Sequence, residues 1–162
     1  MTGVSEPQLE RIDFAAGCFW HVEEAFRTVS GVASTRAGYA AGEPGVRAEA
    51  TPCRRDTGHV EAVRVTFDPT ALSLETLLEV FWARHDPGAR HRVEGGAAYR
   101  YRSAIFVEHE THLQAVQLLV DAERARRAET GQVTMTIVEL DAPWQDAAEP
   151  NQQYLWRRSR AE

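Results

Sequence analysis

Hydrophobic and polar residues alternate in several short stretches of the chain, which is the pattern of a strand with one buried face. The clearest stretch is residues 59–67, where Val63, Val65 and Phe67 are separated by polar side chains. The same criterion predicts strands at residues 11–17, 32–39, 59–67, 101–108 and 133–140. These strands are expected to form the sheet on which the rest of the chain packs.

Apolar residues at helical spacing predict three helices between the strands, at residues 18–29, 73–86 and 111–129. Ser73 provides an N-cap hydroxyl for the second helix, and Gly131 ends the third. The element order is strand, helix, strand, strand, helix, strand, helix, strand. It predicts an α+β fold, a two-layer sandwich with a ferredoxin-like core and helices packed on a mixed or antiparallel sheet.

Composition and charge narrow the classes of function. The chain is 43% hydrophobic and 26% charged, as expected for a globular protein, and residues 1–162 are predicted to be a single domain. A net charge of -6 gives no basic surface for nucleic acid or an anionic membrane. With no apolar leader and no run of membrane length, a cytoplasmic location is expected. All 18 basic residues are arginine, which excludes Schiff-base and P-loop lysine chemistry.

One of the two cysteines lies in the short sequence GCFW, residues 17–20. If a helix begins at Cys18, its backbone N–H groups and dipole should lower the cysteine pKa toward neutrality and favour the thiolate. Gly17 would leave room for a close approach to the sulfur. Alternatively, Cys18 is a small buried hydrophobic residue beside core aromatics. Position alone leaves both interpretations open.

A metal site is not expected. The chain has neither a C-x-x-C nor an H-x-x-x-H spacing. The His-x-Glu pattern of His59 and Glu61 is shared with zinc deaminases, but Cys53 comes before it and has no second cysteine nearby. A Cys–His hydrolase is chemically possible with six histidines, although no local pattern pairs one with Cys18.

Several longer motifs occur in a fixed order along nearly the whole chain. They are GCFW, VEEAF, AGYAAG, DTGHVEAV, FWARHDP, YRSAIF and NQQYL. From about residue 12 to about residue 155, this series resembles the methionine sulfoxide reductase A family. The resemblance implies an α+β oxidoreductase that reduces methionine-S-sulfoxide, peptide-bound or free, in protein repair under oxidative stress.

The resemblance also implies a role for each site residue. Cys18 would attack the sulfoxide sulfur as thiolate and become a sulfenic acid. Glu61 would protonate the departing oxygen, with partial burial raising its pKa enough to hold a proton near neutral pH, and the Tyr101 hydroxyl would bind that oxygen. Phe19 and Trp20 would hold the substrate methyl group. Without the resemblance, Glu61 is a solvated strand-end carboxylate and Tyr101 a core residue with a wet tip.

A second thiol must then reduce the sulfenic acid. Many family members carry resolving cysteines in a glycine-rich C-terminal tail, whereas this sequence ends NQQYLWRRSRAE. Cys53, flanked by Arg54 and Arg55, is the remaining candidate for the resolving thiol. The alternative is an external reductant such as thioredoxin, glutaredoxin or a small thiol, for which dithiothreitol can substitute. No bound cofactor is expected.

Two positions depart from the family pattern. Glu49 occupies the place of a family tyrosine, and Gly96 that of an acid thought to bind a methionine N–H, with Glu94 and Tyr99 nearby. Three functions therefore remain open: the usual reductase, the same chemistry on another small sulfoxide, and a non-catalytic redox-sensing or binding relative. The presence of Cys18, Glu61 and Tyr101 together argues against the last, because a binding protein has no use for a proton donor.

Overall fold

The computed structural model describes residues 8–48, 57–88 and 101–161, together with Glu6. Its elements in chain order are β1 Glu10–Ala16, α1 Phe19–Arg27, β2 Val32–Ala40, β3 Val60–Phe67, α2 Leu74–Ala83, β4 Ser103–Val107, α3 Glu110–Ala128, β5 Ile137–Leu140, β6 Trp144–Asp146, a 3₁₀ turn Glu149–Asn151 and α4 Tyr154–Ala161. The first eight elements follow the order predicted from the sequence.

The described strands form one six-stranded sheet in the order β5-β4-β1-β3-β2-β6. All neighbours are antiparallel except β4 and β5, which are parallel. The four central strands with α1 and α2 have the ferredoxin-like βαββαβ arrangement, and β5 and β6 extend it at the two edges. The predicted α+β fold with a mixed sheet is confirmed, while the ferredoxin-like description fits only the centre.

The main hydrophobic core lies between one face of the sheet and helices α1, α2 and α3. Ile12 and Phe14 of β1 point into it, whereas Asp13 points to the opposite face, as period-two alternation requires. Phe14 stacks on Phe26 of α1 with ring centroids 4.6 Å apart. Burying one such ring contributes about 1.5–3 kcal/mol, so this pair fixes α1 against the sheet.

The opposite face of the sheet carries a smaller cluster of mostly small side chains. Beside it, Asp13 accepts two hydrogen bonds from the guanidinium of Arg64, which also lies 4.2 Å from the ring centroid of Trp144. Burial raises the pKa of Asp13 although Arg64 acts in the opposite direction. An ion pair is therefore enclosed on the side of the sheet away from the helices.

Some predicted boundaries were wrong. The helix expected from residue 18 begins at Phe19, with Cys18 as its N-cap, and the strand expected from 133 begins at Ile137. Tyr101 precedes β4 rather than lying within it. The elements after Leu140 were also missed. β6 and the 3₁₀ turn have three residues each, too few for a periodic pattern, and α4 was not predicted although it has eight.

Candidate active site

The chain directions of three neighbouring strands define one end of the sheet as the site. Because β1 is antiparallel to both β3 and β4, the end of β1 lies beside the starts of those two strands. Ala16 pairs with Ser103, and on the other side of β3, Tyr39 pairs with Glu61. Residues far apart in the sequence therefore reach the same end of the sheet: Cys18, Glu61 and Tyr101.

Gly17 makes the turn from β1 into α1. Its φ of +96° is a conformation that residues with a Cβ rarely adopt. A Cβ at this position would meet no atom within 4 Å. Backbone conformation rather than close approach to the sulfur therefore explains this glycine, contrary to the expectation from the sequence.

Cys18 is the N-cap of α1 and carries a free, half-buried thiol. Its pKa is raised, first by burial and then by the negative charge of Glu61, although backbone N–H groups of Trp20 and His21 donate to the sulfur. The predicted shift toward neutrality was wrong for this arrangement. The helix N-terminus does lower the pKa, but burial and the carboxylate outweigh it.

Glu61 is buried, with 7% of its surface exposed. It lies on the helix-facing side of β3 together with Val63 and Val65, and its Oε1 accepts a hydrogen bond of 3.3 Å from the backbone N–H of Phe19. A solvated strand-end carboxylate is therefore not what the structure shows. The carboxylate lies beneath the first turn of α1, close enough to influence the Cys18 thiol.

Two aromatic side chains follow Cys18 in different environments. Phe19 is buried and meets the ring of Tyr39 edge-on, with centroids 5.5 Å apart. Trp20 is half-buried, stacks on Tyr154 with centroids 3.9 Å apart, and donates its indole N–H to Asn151 at 3.0 Å. Both rings belong to the first turn of α1, which Cys18 caps, and Trp20 is the one that keeps part of its surface exposed.

Tyr101 is 38% exposed and lies immediately before β4. It is therefore not the core residue that position alone suggested. The next residue, Arg102, donates to the carbonyl of Gly58 at 2.9 Å and so connects this segment to the chain leading into β3. Tyr101 is therefore a partly exposed side chain at the same end of the sheet as Cys18 and Glu61.

The side chain of His59 is packed inside the fold and held by polar neighbours. Its ring is buried, its Nδ1 lies 2.6 Å from the hydroxyl of Thr57, and its Nε2 lies 3.2 Å from the amide nitrogen of Gln145. A Cβ at Gly42 would collide with this ring, which explains the glycine there. Within residues 8–48, 57–88 and 101–161, no three His, Cys, Asp or Glu side chains are grouped to hold a metal ion.

The sequence pattern did not predict the residues that pack around α1 and tie the C-terminal segment to it and to β2. They are Glu23, Tyr39, Asn151, Gln152, Gln153 and Tyr154. Strand alternation could have placed Tyr39 beside Ala37 on the helix-facing side. The motif NQQYL was recognised only as part of the family resemblance, because contacts across more than 110 residues leave no periodic pattern.

Several residues of interest lie outside the described part of the chain. These are Glu49, Cys53, Arg54, Arg55, Glu94, Gly96 and Tyr99. The resolving role of Cys53 therefore stays a prediction. The catalytic roles of Cys18, Glu61 and Tyr101 also stay predictions, although the structure brings these residues to one end of the sheet.

Comparison with known proteins decides the family. The family model described as "Peptide methionine sulfoxide reductase" matches residues 10–162. The chain belongs to this family. The resemblance seen in the sequence is thereby confirmed.

Individual relatives and solved structures agree with this assignment. The chain is 40% identical over 152 residues to the "Peptide methionine sulfoxide reductase MsrA" of Geobacter metallireducens, covering 94% of this chain and 93% of that protein. A protein of the same name from Methanoculleus marisnigri is 38% identical over 153 residues, covering 94% and 93%. The structure of "Methionine sulfoxide reductase A of Corynebacterium diphtheriae" superposes with a TM-score of 0.81 at 28% identity, covering 96% of this chain and 77% of that one.

The helices were compared with what a membrane span requires. In the part of the chain that the structure describes, none of the helices combines the length and the apolar character needed to cross a bilayer.

Proposed function

We propose that this peptide methionine sulfoxide reductase family member reduces methionine-S-sulfoxide, peptide-bound or free, to methionine, with Cys18 as the nucleophile. The observation that supports the proposal best is the free thiol at the start of α1 beside the enclosed carboxylate of Glu61. A thiol supplies the two electrons that the sulfoxide needs, and a carboxylic acid supplies a proton to its oxygen.

Cys18 and Glu61 act through one shared proton. While Glu61 is ionised, its charge raises the pKa of Cys18 and keeps the thiol protonated. Transfer of that proton to Glu61 removes the opposing charge and creates a thiolate beside a carboxylic acid. Both reactive groups therefore arise in one step, and the N–H groups of Trp20 and His21 stabilise the thiolate.

The reaction then balances without any further reagent. The thiolate sulfur bonds to the sulfoxide sulfur while Glu61 protonates the sulfoxide oxygen. The protonated oxygen then passes to the cysteine sulfur: a new bond forms between this oxygen and the sulfur of Cys18, while the substrate sulfur–oxygen bond and the transient sulfur–sulfur bond break. The thioether leaves, and Cys18 is a sulfenic acid. Two electrons pass from the cysteine sulfur to the substrate sulfur, and the shared proton ends on the sulfenic acid hydroxyl.

The surrounding side chains orient the substrate. Phe19 and Trp20 provide apolar surface for the methyl group, since methyl groups beside sulfur pack favourably on aromatic rings. The Tyr101 hydroxyl donates to the sulfoxide oxygen at the open side of the site. Placing the methyl and the oxygen on different sides selects one configuration at sulfur.

A second thiol and an external reductant complete the cycle. Cys53, the other cysteine in the chain, condenses with the sulfenic acid and releases water, and a thioredoxin-type dithiol reduces the disulfide. A fold neighbour, "Mxr1 from Saccharomyces cerevisiae in complex with Trx2", has a TM-score of 0.63 at 22% identity. Sulfenic acid chemistry, rather than this likeness of fold, is the reason for the proposal.

Residues 1–162 are proposed to act as a single domain.

The proposal is tested by incubating the protein and dithiothreitol with methyl sulfoxides of varied backbone. The set contains the S and R epimers of free and N-acetylated methionine sulfoxide and dimethyl sulfoxide, with products followed by chromatography. We expect methionine from the S epimers and none with Cys18→Ser. Equal consumption of both epimers, or no methionine product, would contradict the proposal.

A further inference from the structure

A four-residue segment near the C-terminus, Asn151–Tyr154, packs against the first turn of α1. Its outer two residues and its inner two residues make different contacts. Asn151 and Tyr154 contact Trp20, whereas the two intervening glutamines bind the body of the fold. These four residues are called the C-terminal clamp below.

The glutamines anchor the clamp to the sheet and to α1. Gln152 is fully buried, accepts from the N–H of Ala37 at 2.8 Å, and donates to the carbonyls of Ala37 and Ala147 at 2.8 and 2.9 Å. Gln153 donates its backbone N–H and its side-chain amide to the buried carboxylate of Glu23, at 2.7 and 3.1 Å. The clamp is therefore held from the interior, without help from Trp20.

Gln153 has a φ of +45°, a left-handed conformation that is costly for a residue with a side chain. Such strain persists only where surrounding contacts determine it, and here the two bonds to Glu23 do so. Beyond this residue, the ring of Tyr154 meets Trp20.

Trp20 is restrained in two independent directions. Its Nε1–H donates to Asn151 Oδ1 at 3.0 Å, which fixes the rotation of the indole about its side-chain bonds. Its face stacks on Tyr154 at 3.9 Å with 15° between the planes, which fixes its tilt. A half-buried indole without these two contacts has several accessible rotamers.

We propose that Asn151 and Tyr154 are positioning residues that hold Trp20 as the wall of the sulfoxide methyl site. The inference rests on the proposed function, because it gives Trp20 a substrate to contact. A displacement of about 1 Å at a reacting group can cost about 10²-fold in rate, so an indole fixed in place matters for turnover. Neither positioning residue needs to touch the substrate.

The first test is independent of activity. In a ¹H–¹⁵N spectrum the chain shows four indole N–H resonances, and Trp20→Phe identifies the one from Trp20. We expect Asn151→Leu to shift this resonance and to speed its exchange with solvent, while Asn151→Asp, which keeps an acceptor oxygen, preserves slow exchange. An unchanged resonance in Asn151→Leu, or failure of this variant to fold, would overturn the inference.

The second test is kinetic. We expect Asn151→Leu to lower kcat/KM for methionine-S-sulfoxide about tenfold, and Asn151→Asp to recover most of that loss. The rate of alkylation of Cys18 by iodoacetamide should not change, because the thiol environment is intact. In a Trp20→Phe background, Asn151→Leu should cause no further loss. If the losses in kcat/KM from Trp20→Phe and Asn151→Leu add in the double variant, Asn151 does not act through Trp20.

Matched variants separate positioning from general stability. Tyr154→Phe keeps the stacked ring and should retain kcat/KM, whereas Tyr154→Leu should lower it. Thr35→Val removes a 2.8 Å hydrogen bond to Glu23 without touching Trp20, and it should leave kcat/KM unchanged. Equal losses in Thr35→Val and Asn151→Leu would refute the inference. If the wild-type protein reduces no sulfoxide, the proposed function fails, while the indole spectrum still decides whether the clamp positions Trp20.

Discussion

Cys18 is subject to two opposing electrostatic influences. Two backbone N–H groups at the start of α1 favour its thiolate, whereas burial and the charge of Glu61 favour its thiol and raise its pKa. Because a carboxylate and a thiolate side by side repel each other, the charge of Glu61 disfavours loss of the Cys18 proton. The same carboxylate is the group that we propose as the acid for the sulfoxide oxygen.

This coupling makes an unusual prediction for Glu61→Gln. The neutral amide removes a charge that raises the pKa of Cys18, so the midpoint of iodoacetamide alkylation against pH should move to lower pH. At the same time sulfoxide reduction should fall about 10²–10⁴-fold, because an amide cannot donate the required proton. The thiol becomes more reactive while the enzyme becomes slower.

A matched control for this variant is available on α1, the helix that Cys18 caps. Glu24→Gln removes a carboxylate that pairs with Arg27 and is not among the groups that influence Cys18. It should change neither the alkylation midpoint nor the reduction rate. If Glu61→Gln leaves the midpoint unmoved, or raises it, then the coupling between Glu61 and Cys18 is not what the structure implies.

The sequence identified these residues without revealing their environment. Cys18 at the start of a helix and Glu61 at the start of a strand were predicted from local pattern and resemblance, and both lie there. The direction of the Cys18 pKa shift was wrong because it depends on burial and on a carboxylate 43 residues away in the sequence. Neither is visible from residues 17–20.

At the scale of elements, the C-terminal clamp ties the end of the chain to strand β2. Gln152 makes three hydrogen bonds while fully buried, and two of them are to Ala37 of β2. Each buried polar group left without a partner costs about 1–3 kcal/mol. This one side chain therefore holds the 3₁₀ turn and α4 against the sheet.

Gln152→Leu should accordingly lower the free energy of unfolding by at least about 1–3 kcal/mol, because the N–H of Ala37 loses its acceptor. The measurement is equilibrium denaturation in urea. Gln117→Leu, the same substitution on the exposed face of α3, should change the free energy by less than about 0.5 kcal/mol. Similar losses for the two variants would contradict the role assigned to Gln152.

Elements with strong periodicity were predictable, and short ones were not. Strand alternation located β3, and Ser73 was the predicted N-cap of α2, accepting from the N–H of Thr76. In contrast, β6 is defined by its pairing with β2 rather than by its three residues. The site depends on this unpredicted region, because the clamp follows directly after it.

At the scale of the whole molecule, the two faces of the sheet differ in character. Helices cover one face with a large apolar core, and the other face encloses the ion pair of Asp13 and Arg64. Local patterns predicted the α+β class, but strand order arises from contacts between distant residues and did not follow from them. The arrangement of the four central strands was suggested only by the match between the predicted order of elements and the ferredoxin-like βαββαβ motif.

The enclosed carboxylate predicts a pH dependence of stability. Burial raises the pKa of Asp13 above its ordinary value of 3.8, so the folded state retains this proton to higher pH than the unfolded chain. The resulting contribution to stability is fully present below pH 3.8 and is lost as pH rises through the folded pKa. The free energy of unfolding of wild type minus that of Asp13→Asn should therefore fall as pH rises from 3.8.

Asp68 provides a control for which the change of stability with pH has the opposite sign. Its pKa is lowered by a hydrogen bond from the Thr70 hydroxyl, so its contribution to stability is present above pH 3.8 and is lost as pH falls through the folded pKa. The difference between wild type and Asp68→Asn should thus rise with pH. Urea denaturation at several pH values measures both differences, and slopes of the same sign would contradict the assignment.

The central claim is that Cys18 takes the oxygen from a methionine sulfoxide. It is tested most directly by a single turnover without reductant: pre-reduced, desalted protein is mixed with excess methionine-S-sulfoxide, methionine is quantified, and Cys18 is analysed by mass spectrometry with a sulfenic acid trap. We expect about one methionine per protein molecule, with Cys18 recovered as sulfenic acid or as a disulfide, and none with Cys18→Ser. Methionine formed in equal amount by Cys18→Ser, or formed while Cys18 remains a thiol, would contradict it.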